Sequence, residues 1–163
     1  MTVGATTLPA AVVVASNRAA AGTYADETGP LIADWLREQG FDCADPLVVP
    51  DGDPVRVAIL AEVMAGARVV LTTGGTGLTP TDRTPEATRP LLDSEVPGIA
   101  EAIRAAGVAQ GVPTAMLSRG LAGLVGDCLV VNLPGSRGGV KDGLGVLEPV
   151  LRHAVEQVLG SDH

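Results

Sequence analysis

Residues 10–15, 67–73 and 128–133 of this chain are apolar with almost no polar alternation and are rich in Val and Leu. A short continuous run of this kind suits a strand buried on both faces, as in a parallel sheet covered by helices. Residues 41–49 form a weaker candidate strand, interrupted by Asp45-Pro46 and closed by Pro50-Asp51-Gly52-Asp53-Pro54. Between these runs the apolar positions recur at three and four residues. Leu31, Ile32, Trp35 and Leu36 predict a helix that has Pro30 in its first turn and stops at Gly40. Val57, Leu60, Ala61 and Met64 predict a helix packing that face inward and ending at Gly66, and helices are expected over 85–92 and 96–106, joined near Pro90 and Pro97. Residues 113–117 and 121–125 are short and glycine-punctuated, and fit either helix or strand. Val140, Leu144, Leu147, Leu151, Val155 and Leu159 predict a final helix, which Pro149 should kink or break.

Strands alternating with helices predict an α/β fold, a three-layer αβα sandwich with a mostly parallel central sheet and right-handed crossovers. The 163 residues suit a single domain. It is placed at 10–160, after a flexible leader over 1–9 that lacks both the basic residues and the apolar run of a signal peptide. No stretch approaches the ~20 apolar residues of a membrane span, so a soluble, cytoplasmic protein without a membrane partner is expected.

Composition narrows the function classes. Hydrophobic residues are 46% and aromatic residues only 2%, so an aliphatic core is available but aromatic platforms for single-stranded nucleic acid are not. A net charge of −8 argues against nucleic acid as a partner. Lys141 is the only lysine and no G-x-x-x-x-G-K-[ST] occurs, which excludes a P-loop. Cys43 and Cys128 sit in apolar stretches without C-x-x-C spacing and read as buried thiols.

In a parallel sheet, ligands bind beyond the carboxyl ends of the strands. Three such ends are rich in turn and polar residues here. One carries Ser16-Asn17-Arg18, another Thr73-Gly74-Gly75-Thr76-Gly77 followed by Thr81-Asp82-Arg83-Thr84-Pro85-Glu86, and the third Asn132-Leu133-Pro134-Gly135-Ser136. Glycines let backbone N–H groups approach an anion closely, and Thr73 and Thr76 can add hydroxyl donors. Gly135-Ser136 ahead of a helix makes a second anion site. Alone, Gly74 to Gly77 is equally an ordinary tight turn; a second such loop on a sheet end favours phosphate binding. A dinucleotide fingerprint is absent, because the third glycine of G-x-G-x-x-G would fall on Pro80.

A carboxylate beside bound phosphate repels it unless a metal or a ligand N–H intervenes, so Asp82 points to Mg²⁺. Its alternative role is to cap the helix near Pro85. Asp51 and Asp53 can reach the same mouth, although Asp53 is better placed to cap the helix after Pro54. Glu86 falls in a first helical turn, and Arg119, after Ser118, can pair with phosphate or lie on the surface.

These residues together resemble the signature of the Mog/MoaB family of molybdenum cofactor biosynthesis proteins. The resemblance rests on Thr72-Thr73-Gly74-Gly75-Thr76-Gly77 with Asp82-Arg83-Thr84-Pro85-Glu86. Ser16-Asn17-Arg18 with Gly22 and Asp26, Val49-Pro50-Asp51, Leu117-Ser118-Arg119 and Asn132-Leu133-Pro134-Gly135-Ser136 extend it over most of the chain. It implies a molybdopterin-binding domain that assembles as a homotrimer or homohexamer and can meet the molybdenum-insertion protein. It also implies adenylylation of molybdopterin with Mg-ATP and release of pyrophosphate, with Asp51 and Asp82 as catalytic and Mg²⁺-holding aspartates. Ser16, residues 73–77, Glu86, Ser118, Arg119, Pro134, Gly135 and Ser136 fall at its substrate- and phosphate-binding positions. The alternative is a MoaB-like protein that binds a pterin or nucleotide without turning it over. Asn17 stands where many relatives have Asp, and the chain ends soon after its last helix, as in MoaB-type members.

Overall fold

The computed structural model describes residues 7–23 and 25–160. The expected three-layer arrangement is what forms. Among the described residues, seven strands build one sheet: β1 (Pro9–Ala15), β2 (Asp42–Cys43), β3 (Leu47–Val49), β4 (Val69–Thr73), β5 (Ser94–Glu95), β6 (Ala122–Val125) and β7 (Cys128–Leu133). The order is β2-β1-β4-β7-β6-β5, with β3 pairing β1 on the same edge as β2. All pairings from β2 to β7 are parallel, whereas β5–β6 and β6–β7 are antiparallel. The three apolar runs of the sequence become β1, β4 and β7, side by side at the centre. Asp45-Pro46 divides the edge strand, as the missing N–H of proline requires.

Alternate side chains of β1 enter different halves of the core, the period-two consequence of a strand covered on both faces. Val12 and Val14 pack with Ile32 and Leu36 of α2 (Thr28–Glu38), Ile103 of α5 (Pro97–Ala109), Val140, Leu144 and Leu147 of α6 (Arg137–Leu147), and Leu151 and Val155 of α7 (Leu151–Val158). Val13 and Ala15 pack with Val55, Ala58 and Ile59 of α3 (Asp53–Met64) and with Ala87 of α4 (Thr84–Thr88). A single helical turn, α1 (Asn17–Ala20), sits at the end of β1. Cys43 and Cys128 are buried free thiols.

Several expectations need correction. The buried face of α3 is Val55, Ala58 and Ile59; Val57 and Met64 are exposed by 52% and 80%. The helix is apolar on both sides, so residue spacing admits either stripe, and packing against the sheet buries Val55, Ala58 and Ile59. Asp53 does not cap that helix: Gly52 is the N-cap, and Asp53 pairs with Arg56 at 2.7 Å. The helix expected over 85–92 is α4 followed by a 3₁₀ turn at Arg89–Leu91, where Pro90 interrupts the α-helical ladder. Residues 113–117 form a 3₁₀ turn and residues 122–125 an antiparallel strand. As expected, the final helix breaks at Pro149, into α6 and α7. Of the expected leader, residues 1–6 lie outside the described residues, while Leu8 packs on the core and its carbonyl accepts the Asp42 N–H at 2.9 Å. Among the described residues no helix is long and apolar enough to cross a membrane.

Candidate active site

The carboxyl ends of β1, β4 and β7 open on one side of the sheet, and the loops predicted to carry chemistry meet there. After β4 the chain turns through Gly74 and Gly75 at φ +90° and +68°, values that L side chains rarely adopt. Close approach adds to the demand for glycine: a Cβ at Gly74 would strike the Ala15 carbonyl, and one at Gly75 would strike Thr84 Oγ1 and Asp51 Oδ2. The two glycine loops also touch each other, since a Cβ on Gly135 would lie 3.2 Å from Gly74 Cα. Thr73 Oγ1 fixes this pairing by donating to the Pro134 carbonyl at 2.7 Å.

Two cavities flank the shared wall of Gly135 and Ser136. The smaller, about 240 Å³, is bounded by Ser16, Asp26, Thr28, Thr73 and Gly74. The larger, about 640 Å³, has Gly75, Thr76, Gly77 and Asp82 on one side and Val112, Ala115 and Leu117 opposite. Its volume suits a small organic ligand. Ser136 caps α6, its Oγ accepting the Gly139 N–H at 3.1 Å, so the positive end of α6 faces the wall both cavities share. Among the described residues, the N–H groups of Gly75, Thr76 and Gly77 have no protein acceptor.

Asp51 sits behind Gly75. Its Oδ1 accepts the Arg83 N–H at 2.9 Å, and its own N–H donates to Asn17 Oδ1 at 3.0 Å. Asn17 therefore supplies an acceptor without adding a charge beside the aspartate. Burial pushes the Asp51 carboxyl above its ordinary range, with the negative Asp82 and Glu86 adding to it, against opposing hydrogen bonds from the Arg83 and Gly52 N–H groups. Asp82 is not the cap of α4, which begins after Arg83 without a side-chain cap; its Oδ2 instead accepts the Thr79 N–H at 3.1 Å. Asp53 is paired with Arg56 and lines neither cavity.

Glu86 and Arg119 find each other. Arg119 Nη1 donates to both Glu86 carboxylate oxygens at 2.7 and 3.0 Å, Nε to the Gly77 carbonyl at 2.9 Å and Nη2 to the Asp82 carbonyl at 2.8 Å. Burial alone would raise the Glu86 pKa, but hydrogen bonds and charge from Arg119, aided by Arg83, hold it below the ordinary glutamate value. Ser118 Oγ donates to Thr76 Oγ1 at 3.3 Å.

Two features escaped the sequence reading. Asn132 lies buried in β7, donating to Thr72 Oγ1 at 2.9 Å and Thr88 Oγ1 at 3.1 Å while accepting the Leu121 N–H at 3.0 Å. An amide inside an otherwise apolar strand was the available signal, because such a group needs partners. The second is Thr84, fully buried, whose Oγ1 has no hydrogen-bond partner among the described residues and meets the same face of Gly75 as Asp51 Oδ2.

Fold and site together define an α/β domain that presents paired glycine-rich turns at the ends of parallel strands, with Asp51 and Asp82 in the loops beside them. Residues 11–153 match the family described as "Probable molybdopterin binding domain". A molybdenum cofactor biosynthesis bifunctional protein of Synechococcus elongatus is 42% identical over 94% of this chain and 48% of its own length. A molybdopterin adenylyltransferase of Pyrococcus furiosus is 35% identical over 89% of this chain and 90% of its own. The solved structure of the molybdopterin biosynthesis Mog protein from Mycobacterium ulcerans superposes with a TM-score of 0.89 at 51% identity, covering 93% of this chain and 99% of that one. The chain belongs to the Mog/MoaB family of molybdenum cofactor biosynthesis proteins. It spans about half the length, or less, of the first curated relatives it matches.

Proposed function

We propose that this chain transfers the adenylyl group of ATP to the phosphate of molybdopterin and releases pyrophosphate. The observation that carries the reading is the contact between the 74–77 turn and the Gly135-Ser136 turn at the ends of adjacent parallel strands, with Asp82 in the cavity beside them. Relatives named molybdopterin adenylyltransferase support it. An oxygen of the pterin phosphate attacks the α-phosphorus of ATP, the bond from that phosphorus to the β-phosphate bridge breaks, and pyrophosphate carries off the electron pair. In such a reaction the protein mainly positions reactants and stabilises charge. Here the 75–77 N–H groups and the positive end of α6 are fixed donors for that charge.

The residues present fit Mg²⁺ brought in with phosphates. Among the described residues no group of three or more His, Cys, Asp or Glu could hold a metal by itself. Asp82 lines the larger cavity and Asp51 Oδ2 lies against Gly75, and Mg²⁺ is usually held by one or two carboxylates plus substrate phosphates. The unpartnered Thr84 hydroxyl beside Asp51 adds a polar group with capacity for a further ligand. When bound, Mg²⁺ would be held by Asp51 and Asp82 together with the phosphates and would neutralise phosphate charge. Asn17 does not weaken the reading, since its amide oxygen holds the Asp51 main chain as a carboxylate would.

Incubation with molybdopterin and Mg-ATP tests the proposal. Adenylylated pterin and pyrophosphate should accumulate in equal amounts. Tight pterin binding without either product would identify a binding protein instead. The same reading expects a homotrimer or homohexamer, measurable by light scattering.

A further inference from the structure

We propose that Arg119 and Glu86 are positioning residues: their ion pair clamps both ends of the loop from Gly77 to Asp82, presenting Asp82 to the cavity and keeping the guanidinium off the substrate phosphate. The clamp rests on reading the 74–77 turn as the anion site. Residues 78–82 have no helix or strand of their own, and Leu78 is 64% exposed. Their local support is one turn, in which the Asp82 N–H donates to the Thr79 carbonyl at 3.0 Å and the Thr79 N–H to Asp82 Oδ2 at 3.1 Å. Such a turn shapes the loop without anchoring it to the domain.

Arg119 supplies the anchor. Its Nε and Nη2 bind the Gly77 and Asp82 carbonyls, one at each end of the loop, and its main-chain N–H donates to the Thr76 carbonyl at 2.8 Å. A planar guanidinium carries five N–H groups in a fixed fork, so these bonds set the spacing between the two carbonyls. Glu86, in the first turn of α4, takes the remaining nitrogen, Nη1, on both of its carboxylate oxygens and joins the loop to that helix. The segment bearing Arg119 is itself held from α5, where Arg104 Nη1 donates to the Ser118 and Gly120 carbonyls at 3.3 and 3.1 Å. Turning Arg119 toward a phosphate would break both carbonyl bonds and separate the pair. A lysine there would keep the charge but offer no fork.

The test uses the full chain, R119K, E86Q and the double variant. Backbone amide exchange of residues 77–82 is compared with that of β7, and binding of inorganic pyrophosphate is measured by calorimetry with and without Mg²⁺. Each single variant should speed loop exchange by on the order of tenfold while β7 protection is unchanged, and the double variant should be no faster than the faster single. Pyrophosphate affinity without Mg²⁺ should stay within about twofold, whereas Mg²⁺-dependent affinity should fall about tenfold, the separation expected when Asp82 is misplaced and the backbone donors are not. The clamp is overturned if loop exchange is unchanged in both single variants. It is also overturned if R119K weakens Mg²⁺-free binding while E86Q does not, which would make Arg119 a direct phosphate ligand. Absence of pyrophosphate binding by the unmodified chain would refute the anion site and the adenylyl-transfer reading, and the exchange measurement would still decide the clamp.

Discussion

Replacing Gly75 by alanine perturbs the turn on which the site depends, and a second glycine provides its control. Gly75 has φ +68°, and Gly126, in the β6–β7 turn, has φ +56°. A side chain in this left-handed region costs about 1–2 kcal/mol at either position. The surroundings differ: a Cβ at Gly126 meets nothing within 4 Å, whereas one at Gly75 overlaps Thr84 Oγ1 and Asp51 Oδ2. Neither neighbour yields easily, because Thr84 is fully buried and Asp51 is tied to the Arg83 N–H. Overpacking of this kind adds about 1–3 kcal/mol, so Gly75→Ala should cost roughly 3 kcal/mol and Gly126→Ala about half as much. Urea unfolding followed by circular dichroism measures both, and a slope of about 2 kcal/mol per molar urea places the Gly75→Ala midpoint well over ~1 M lower than the unmodified chain's. Gly75→Ala should also abolish adenylyl transfer by displacing Asp51, with Gly126→Ala fully active. Equal midpoints for the two variants, with activity kept in both, would refute the close approach of Gly75, Asp51 and Thr84.

Asp82→Asn should leave the fold intact and spare pterin binding while lowering turnover by about a hundredfold or more, as loss of a group that stabilises the transition state does; lost binding with unchanged residual turnover would remove the aspartate from the chemistry. Because the folded pKa of Asp51 is raised, its contribution to stability is fully present below the unfolded value and disappears as pH rises through the folded value. Asp51→Asn should therefore unfold at higher urea than the unmodified chain near neutral pH, and the difference should close on acidification. Cys128, pushed up to about 12 by burial, and Cys43, raised by burial, should not react with a thiol reagent at pH 8 until the chain is unfolded; fast labelling of the native protein would show that the core opens readily.

The sequence by itself determined the centre of the sheet and singled out the loops that meet at its carboxyl end. β1, β4 and β7 were legible because a strand buried on both faces must be continuously apolar. The 74–77 and 135–136 turns were legible because a chain that bends sharply at strand ends draws on glycine there. Pro149 marked a break that local chemistry alone enforces. Tertiary structure decided what depended on a partner distant in sequence. α3 is apolar on both sides, so only the sheet could choose Val55, Ala58 and Ile59 over Val57 and Met64. Ser94–Glu95 became a strand because β6 offered an edge, which no pattern within those two residues announces. Arg119 and Glu86, 33 residues apart, were each legible as charged groups near the site, but not as a pair. Charge and residue type are local properties, whereas a guanidinium's choice among a carboxylate, two carbonyls and a phosphate is made by the loops that the fold brings within its reach.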